Sequence, residues 1–183
     1  MTFAVGMKLK QDGEIGLIQG LYSLVPYIDP EKIALMGISM GGVLAPRAAA
    51  FEKRISALVA NDGIYDFGVT QLAAVPPDQR EAFIAAVNQK EAPKLDRKLI
   101  ESMNKSPAAK WGGDQAGFVM GESTPHAVAA KMLRFHLRDG IAEQISYPTL
   151  VLDAEEDMYL KGQPDVLYEH LTCPKTMIRF TTE

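Results

Sequence analysis

Short apolar runs, separated by helical repeats of apolar positions, recur along the chain and predict strands and helices in alternation. Residues 33–36 form an apolar run of strand length, and the small residues of 42–50 that follow are typical of a helix. Three more apolar runs, at 55–60, 147–153 and 176–180, predict further strands. Because helical segments connect these runs, we expect an α/β fold, with a parallel sheet flanked by helices.

The middle of the chain differs from both ends, because the strand pattern disappears there and apolar side chains recur at helical spacing. Thr124-Pro125 indicates a helix start with proline at the first helical position. We therefore expect an α/β core formed by residues 1–67 and 146–183, with a helical cap, or lid, inserted at residues 68–145.

Other expectations concern individual helices. Apolar positions three and four apart in residues 15–25 predict an amphipathic helix. Pro46 lies inside the helix predicted at 42–50, where it removes a backbone donor and should kink or loosen the first turns. In the cap, Trp111, Phe118 and Met120 are expected to pack between helices, with a substrate-pocket lining as the alternative.

The clearest motif lies between the first predicted strand and its helix, where Gly37-Ile38-Ser39-Met40-Gly41 fits G-x-S-x-G. Strand, sharp turn and helix in this order are typical of a nucleophile elbow, which lifts the Ser39 hydroxyl off the sheet. We expect a strained backbone at Ser39, with glycine at 37 and 41 because larger side chains would collide with the neighbouring strand and helix. The Met40 backbone N–H would then point to where an oxyanion forms. The alternative is an ordinary turn whose serine caps the helix.

A serine hydroxyl needs a general base, usually histidine, and a carboxylate that orients the base. With an elbow of this kind the chain order is serine, then acid, then histidine. Asp157 follows the apolar run 147–153 and is in the place expected for the acid. Asp153, nearer the end of the strand, is expected to be structural, and Glu155 and Glu156 to face solvent.

The base is harder to assign. His126 and His136 precede the acid and lie in the predicted cap, and His170 follows the acid inside a predicted helix. The expected place for a catalytic histidine is after the last strand, where only residues 181–183 remain. We therefore expect these three histidines to be surface or interhelix residues, and the chain to lack the catalytic histidine.

Composition excludes some classes of function. The chain has 183 residues, 47% of them hydrophobic and 23% charged, as in a globular protein with one core and an insertion. The formal net charge of -4 argues against a nucleic-acid partner. No apolar run reaches about 18 residues, so we expect no membrane span, and the first ten residues do not resemble a signal peptide. A single cysteine, Cys173, excludes an internal disulfide. We therefore expect a cytoplasmic protein.

Three segments carry a family resemblance: KIALMGISMGG at 32–42, NDGIYDF at 61–67 and PTLVLDAEEDMYLKGQP at 148–164. With a helical insertion between the second and the third, they resemble the α/β-hydrolase superfamily. More closely they resemble its capped subgroup, which includes 2,6-dihydroxypseudooxynicotine hydrolase, FrsA-like esterases and the fungal hydrolases that shorten polyketides. The resemblance covers nearly the whole chain from about residue 6.

The resemblance implies that Ser39 is the nucleophile, that Asp157 is the triad acid and that the Met40 amide is half of the oxyanion hole. It also implies a small-molecule substrate, hydrolysis of an acyl (ester) or β-dicarbonyl carbon–carbon bond in secondary metabolism, and no metal or organic cofactor. We expect no nucleic-acid or membrane partner. An exposed sheet edge or an apolar cap would favour a homodimer.

Relative to the family pattern, the chain is expected to be truncated at both ends. In the family, strands before the elbow carry the second oxyanion donor, and the histidine follows the position where this chain stops. The alternative to a serine hydrolase is therefore a catalytically incomplete hydrolase, either inactive or serving only as a binding partner.

Overall fold

The computed structural model describes residues 29, 31–157 and 159–182. The helix predicted at residues 15–25 lies outside the described residues. Among the helices of the described part, none is long and apolar enough to cross a membrane.

Four strands of the described part form one parallel sheet in the order β1-β2-β3-β4. They are β1 (Ala34–Ile38), β2 (Ala57–Asn61), β3 (Thr149–Ala154) and β4 (Lys175–Phe180). Helix α1 (Gly41–Phe51) connects β1 to β2. The expected α/β fold, a parallel sheet flanked by helices, is confirmed.

The register brings the carboxyl ends of three strands side by side. Ile38 at the end of β1 pairs with Asn61 at the end of β2, and Asn61 pairs with Leu152 of β3. Residues that follow these strands therefore meet at one edge of the sheet, where parallel α/β folds place their functional groups.

The chain divides into two compact units. The first, Met1–Asp66 with His136–Glu183, contains the sheet, α1 and the last helix, Gln163–His170. The second, Phe67–Phe135, is helical in the described part. Its helices are α2 (Phe67–Ala73), α3 (Arg80–Val87), α4 (Pro93–Met103), α5 (Pro107–Met120) and α6 (Pro125–Met132), so that Gln163–His170 is α7. The core of the first unit is apolar and fully buried: Val43, Leu58, Ile64, Leu137, Val151 and Leu167.

Helix α6 of the helical unit is held by a neighbouring helix. Thr124 occupies the position before α6, as expected, but its side chain makes no capping hydrogen bond. The carboxylate of Asp96 on α4 does so instead, because it accepts the backbone N–H of His126 at 2.8 Å. It also contacts the His126 ring nitrogen Nδ1 at 2.9 Å. The carboxylate of Asp96, on another helix, therefore replaces the cap by Thr124 that the sequence predicts.

Aromatic side chains of α5 are distributed differently from expectation. Met120 is buried, as the packing interpretation predicts, whereas Trp111 is 70% exposed and Phe118 is 82% exposed. The packing interpretation is therefore wrong for these two aromatic residues.

Pro46 lies in the middle of α1, which nevertheless runs unbroken over 11 residues. The missing N–H of Pro46 would have bonded the carbonyl of Gly42, four residues earlier. That carbonyl accepts the backbone N–H of Ile64 instead, at 3.1 Å. The proline therefore leaves an acceptor in the first turn of α1, and the loop after β2 uses it.

Close backbone approaches explain two glycines near the start of α1. A Cβ on Gly37 would overlap the Gly41 carbonyl, as expected for that position. A Cβ on Gly42 would overlap the backbone carbonyl of Asp62, which follows β2. The expectation for Gly41 was wrong, because a Cβ there meets no described atom within 4 Å. The crowded residue is the next one, since α1 turns its Gly42 face to β2.

Alanine substitution should separate these adjacent glycines. We expect Gly42→Ala to lower the free energy of unfolding by at least about 2 kcal/mol, because a backbone carbonyl cannot yield as a side-chain end can. Gly41→Ala, in the same helical turn, should stay within about 1 kcal/mol of the wild type or exceed it. Urea unfolding followed by circular dichroism measures both. Equal losses in the two variants would contradict the close approach.

Candidate active site

Ser39 stands in the turn between β1 and α1 with a left-handed backbone, at φ 55°. This region disfavours residues that carry a Cβ, so the conformation is strained. The Ser39 carbonyl accepts the N–H of Gly42 at 2.6 Å, which closes the turn, and the side chain is exposed. The residue before α1 is Met40, and no side chain caps the helix there. The capping interpretation of the serine is therefore wrong, and the strained turn that the motif predicts is present.

The Met40 amide lies at the first turn of α1, with φ −51° and ψ −29°. Among the described residues no acceptor pairs with this N–H, although the Met40 carbonyl accepts the N–H groups of Val43 and Leu44, each at 3.3 Å. An open amide at the start of a helix, beside an exposed hydroxyl, has the polarity that stabilises developing negative charge.

Asp157 lies in the loop after β3, where its carboxylate is held by the backbone. One oxygen, Oδ1, accepts the N–H groups of Tyr159 and Leu160, each at 2.7 Å. The other oxygen, Oδ2, has no hydrogen-bond partner in the part of the chain that the structure describes. A carboxylate fixed on one side and open on the other can orient a further donor.

The competing carboxylates behave as expected. Asp153 is buried and pairs with the Arg179 guanidinium, Nε to Oδ2, at 2.6 Å. Arg179 also bonds Asp165 at 2.6 Å, so one guanidinium links the two carboxylates and gives Asp153 a structural role. Glu155 and Glu156 are exposed.

Asp62 is a further carboxylate at this edge of the sheet, outside the residues that the motif predicts. It follows β2, between the ends of β1 and β3, and its backbone is left-handed at φ 57°. Burial, and then the negative charge of Asp157, raise the pKa of the Asp62 carboxyl, and hydrogen bonding by the Ser39 backbone amide acts in the opposite direction. Asp62 therefore follows the strand that lies between the two strands that precede Ser39 and Asp157. Its position after a strand was the available signal.

Curated relatives of this chain are named as a hydrolase and a hydrolyase. The chain is 31% identical over 135 residues to Hydrolase ORFZ of Pyricularia oryzae, which covers 74% of this chain and 31% of that protein. It is 31% identical over 175 residues to Hydrolyase poxO of Penicillium oxalicum, which covers 88% of this chain and 40% of the relative. The chain thus spans well under half the length of either protein. No family model matches it.

Solved structures give the fold. The 2,6-dihydroxy-pseudo-oxynicotine hydrolase superposes with a TM-score of 0.55 at 18% identity, covering 88% of this chain and 36% of that one. The α/β hydrolase GrgF of a Penicillium species superposes with a TM-score of 0.53 at 19% identity, covering 90% and 62%. The chain has the fold of the α/β-hydrolase superfamily. The resemblance inferred from the three sequence segments is confirmed.

In a serine hydrolase, a histidine should reach both the serine and the acid. The three histidines of this chain lie in other settings. His126 contacts Asp96 in the helical unit. His170, near the end of α7, contacts Glu143 at 2.8 Å and stacks on the Tyr65 ring at 4.4 Å. The interpretation of both as surface or interhelix residues is confirmed.

His136 lies in the first unit, which contains the sheet, and its backbone has a structural role there. It forms an isolated antiparallel bridge with Asp66, and its carbonyl accepts a hydrogen bond from Arg47 at 2.6 Å. Its ring nitrogen Nδ1 is buried and has no hydrogen-bond partner among the residues that the structure describes. Burial, and then the charges of Arg138 and Arg47, lower the pKa of the His136 ring. A neutral ring therefore suits this position.

No cluster of three or more His, Cys, Asp or Glu side chains suited to a metal ion occurs among the described residues. The edge of the sheet where β1, β2 and β3 end presents the Ser39 hydroxyl, the open Met40 amide and the carboxylates of Asp62 and Asp157.

The strain at Ser39 can be measured by two substitutions that both remove the hydroxyl. Ser39→Gly relieves the left-handed conformation and Ser39→Ala does not, so the glycine variant should be more stable by about 1 kcal/mol. Chemical unfolding of the two purified variants gives the difference. An alanine variant as stable as the glycine variant would contradict the left-handed turn.

The raised pKa of Asp62 predicts how stability changes with pH. A carboxyl whose pKa is higher in the folded state stabilises fully below its unfolded value of 3.8, and that contribution is lost as pH rises through the folded pKa. Asp62→Asn should therefore be more stable than the wild type at pH 7, by a difference that shrinks as pH falls toward 4. Thermal melts across this range test the sign, and a difference independent of pH would contradict it.

Proposed function

We propose that this chain carries the nucleophile and the acid of a serine hydrolase, with Ser39 as nucleophile and Asp157 as the orienting carboxylate. The observation that supports this most strongly is the left-handed backbone of Ser39, at φ 55°, in a turn that exposes its hydroxyl beside the open Met40 amide. Strain of this kind persists where the surrounding structure imposes it, and it is characteristic of functional turns.

In the proposed reaction the Ser39 hydroxyl attacks the carbonyl carbon of the substrate. The carbonyl oxygen becomes an oxyanion, which the Met40 N–H stabilises by hydrogen bonding. The serine proton passes to a general base and then to the leaving group, and water hydrolyses the acyl-enzyme by the same route. Asp157 would orient the base through its open Oδ2.

The described residues do not bring a general base to this site. One intervening strand separates β1 from β3, so their backbones lie about 10 Å apart and a third group must bridge Ser39 and Asp157. The rings of His126 and His170 contact other carboxylates, and the backbone of His136 is bonded to Arg47 and Asp66. Since the chain spans 31% to 40% of these two relatives, we propose that the base comes from sequence outside these 183 residues. The alternative is a catalytically incomplete hydrolase that binds without turnover.

The substrate follows from the resemblance alone. We propose an ester or β-dicarbonyl compound of secondary metabolism, with the helical unit Phe67–Phe135 acting as a cap. Relatives named as hydrolases of fungi, and a structural neighbour named for a pseudo-oxynicotine substrate, support this class. Initial rates on a matched ester and β-diketone pair would choose between the two bonds.

A fluorophosphonate probe tests the nucleophile directly. The purified chain should be labelled at one serine, identified by mass spectrometry of the modified peptide, and Ser39→Ala should abolish labelling. The matched control is Ser146→Ala, which removes an exposed hydroxyl from the same unit and should label as the wild type does. Labelling that survives Ser39→Ala would contradict the assignment of the nucleophile.

The same assay separates a missing base from a site without catalytic function. Imidazole is a diffusible general base, so adding it should raise the rate of Ser39-dependent labelling if only the histidine is absent. A folded sample that stays unlabelled at every imidazole concentration would favour the binding-only alternative.

A further inference from the structure

The outer face of helix α5 carries two large aromatic side chains that the described residues leave uncovered. Trp111 is 70% exposed and Phe118 is 82% exposed. They stand seven residues apart in the sequence, close to two helical turns, so both lie on the same side of the helix. Ala108 and Gln115 are exposed on the same side. These four residues form what we call the α5 stripe.

The opposite face of α5 packs within the helical unit. Ala116 and Met120 are buried there. A Cβ on Gly113 would overlap the side chain of Met103, so α4 approaches α5 on this inner face. The α5 stripe is therefore the face that the helix does not use for its own packing. Two large aromatic residues on one stripe form a contiguous apolar patch, which marks an interaction site more than scattered single residues do.

The α5 stripe is complementary to itself. The midpoint between Trp111 and Phe118 lies between positions 114 and 115. A two-fold axis through this midpoint relates two antiparallel copies of α5, so that Trp111 of each copy lies opposite Phe118 of the other. The same aromatic contact is then made twice, in an arrangement that closes on itself.

Charge and helix polarity favour this antiparallel arrangement over a parallel one. A parallel pair would set Lys110 opposite Lys110 of the second copy and bring like helix ends together. An antiparallel pair places opposite helix ends side by side. Asp114, close to the two-fold axis, is already paired with Lys110 at 2.9 Å, so its charge is partly compensated where the copies meet.

The size of the patch fits a weak contact between two copies. Each buried aromatic side chain removes about 150–250 Å² from water, and a two-fold pair buries four of them. With the flanking residues, the interface approaches about 1,000 Å², which is the lower end for a specific contact. Such a dimer is reversible, with a dissociation constant on the order of 100 µM.

We propose that the α5 stripe is a homodimer interface, in which α5 packs antiparallel on α5 of a second copy and Trp111 contacts Phe118 twice. This inference goes beyond the proposed function. It uses neither Ser39 nor Asp157, and it stands whether or not the chain hydrolyses a substrate.

Trp111 is the only tryptophan of the chain, so its fluorescence reports on this surface alone. As the concentration of the 183-residue chain rises through the dissociation constant, the emission maximum should move to shorter wavelength. Sedimentation equilibrium should show a monomer–dimer transition with the same midpoint. Phe118→Ala should weaken association at least about tenfold, because one substitution removes two contacts of a two-fold dimer. The matched control is Tyr159→Ala, which removes a side chain that is 79% exposed elsewhere and should associate as the wild type does.

A mixing experiment tests the antiparallel pairing. Trp111→Ala contains no tryptophan, so it can be added to Phe118→Ala without adding emission of its own. The mixed dimer regains one contact between Trp111 and Phe118 that neither variant forms alone, and the emission of Phe118→Ala should move to shorter wavelength. A parallel pair regains no such contact. Adding the double variant, with alanine at both positions, should have no effect.

Several results would overturn the proposal. A chain that stays monomeric at every concentration does so, whether its tryptophan emits as an exposed ring or as a ring covered within one chain. Association that survives Phe118→Ala, in a variant that circular dichroism shows to be folded, would place the interface elsewhere. Mixing without a change of emission would contradict the antiparallel contact.

Discussion

The close approach of α1 to the loop after β2 is the contact on which the rest of the site depends. Gly42 lies against the Asp62 carbonyl, and the Gly42 carbonyl accepts the Ile64 N–H because Pro46 leaves it free. A side chain at 42 would push the helix off the sheet. With the helix in place, the turn before it is short, and Ser39 must adopt a left-handed backbone. The strain at the serine is therefore offset by the packing that follows it.

The same packing concentrates negative charge at one edge of the sheet. Asp62, Asp153 and Asp157 all follow or end neighbouring strands, and Arg179 of β4 neutralises Asp153. Backbone amides hold one oxygen of Asp157. Charge held in this way opposes stability near neutral pH, as is common where a protein keeps polar groups for function.

Within the first unit, the two chain segments that flank the helical insertion are bonded to each other. The N–H of Leu137 bonds the Tyr65 carbonyl at 2.8 Å, and Asp66 bridges His136. Arg47 of α1 donates to the His136 carbonyl, and Arg138 pairs with the buried Asp66 at 3.2 Å. The residues at which the chain leaves and re-enters the first unit thus lie close together. His136 is occupied there as a structural residue.

Local sequence determined the strands, the helix after the elbow and the serine turn. Apolar runs and glycine spacing encode these features within a few residues, and the predicted strand ends differ from the observed ones by at most two positions. The α/β fold followed from the order of strands and helices. The solvent exposure of Glu155 and Glu156, and the structural role of Asp153, followed from their distance to the strand end.

Only the tertiary structure decided which glycine is crowded, which carboxylate caps α6 and which residue stands between serine and acid. Gly42 rather than Gly41 meets β2, Asp96 rather than Thr124 caps α6, and Asp62 enters the site. Each of these depends on a contact between segments distant in sequence; Gly42 and Asp62 alone are 20 positions apart. The pattern of residues along the chain does not give the distance between such segments. Strand register and helix packing set that distance.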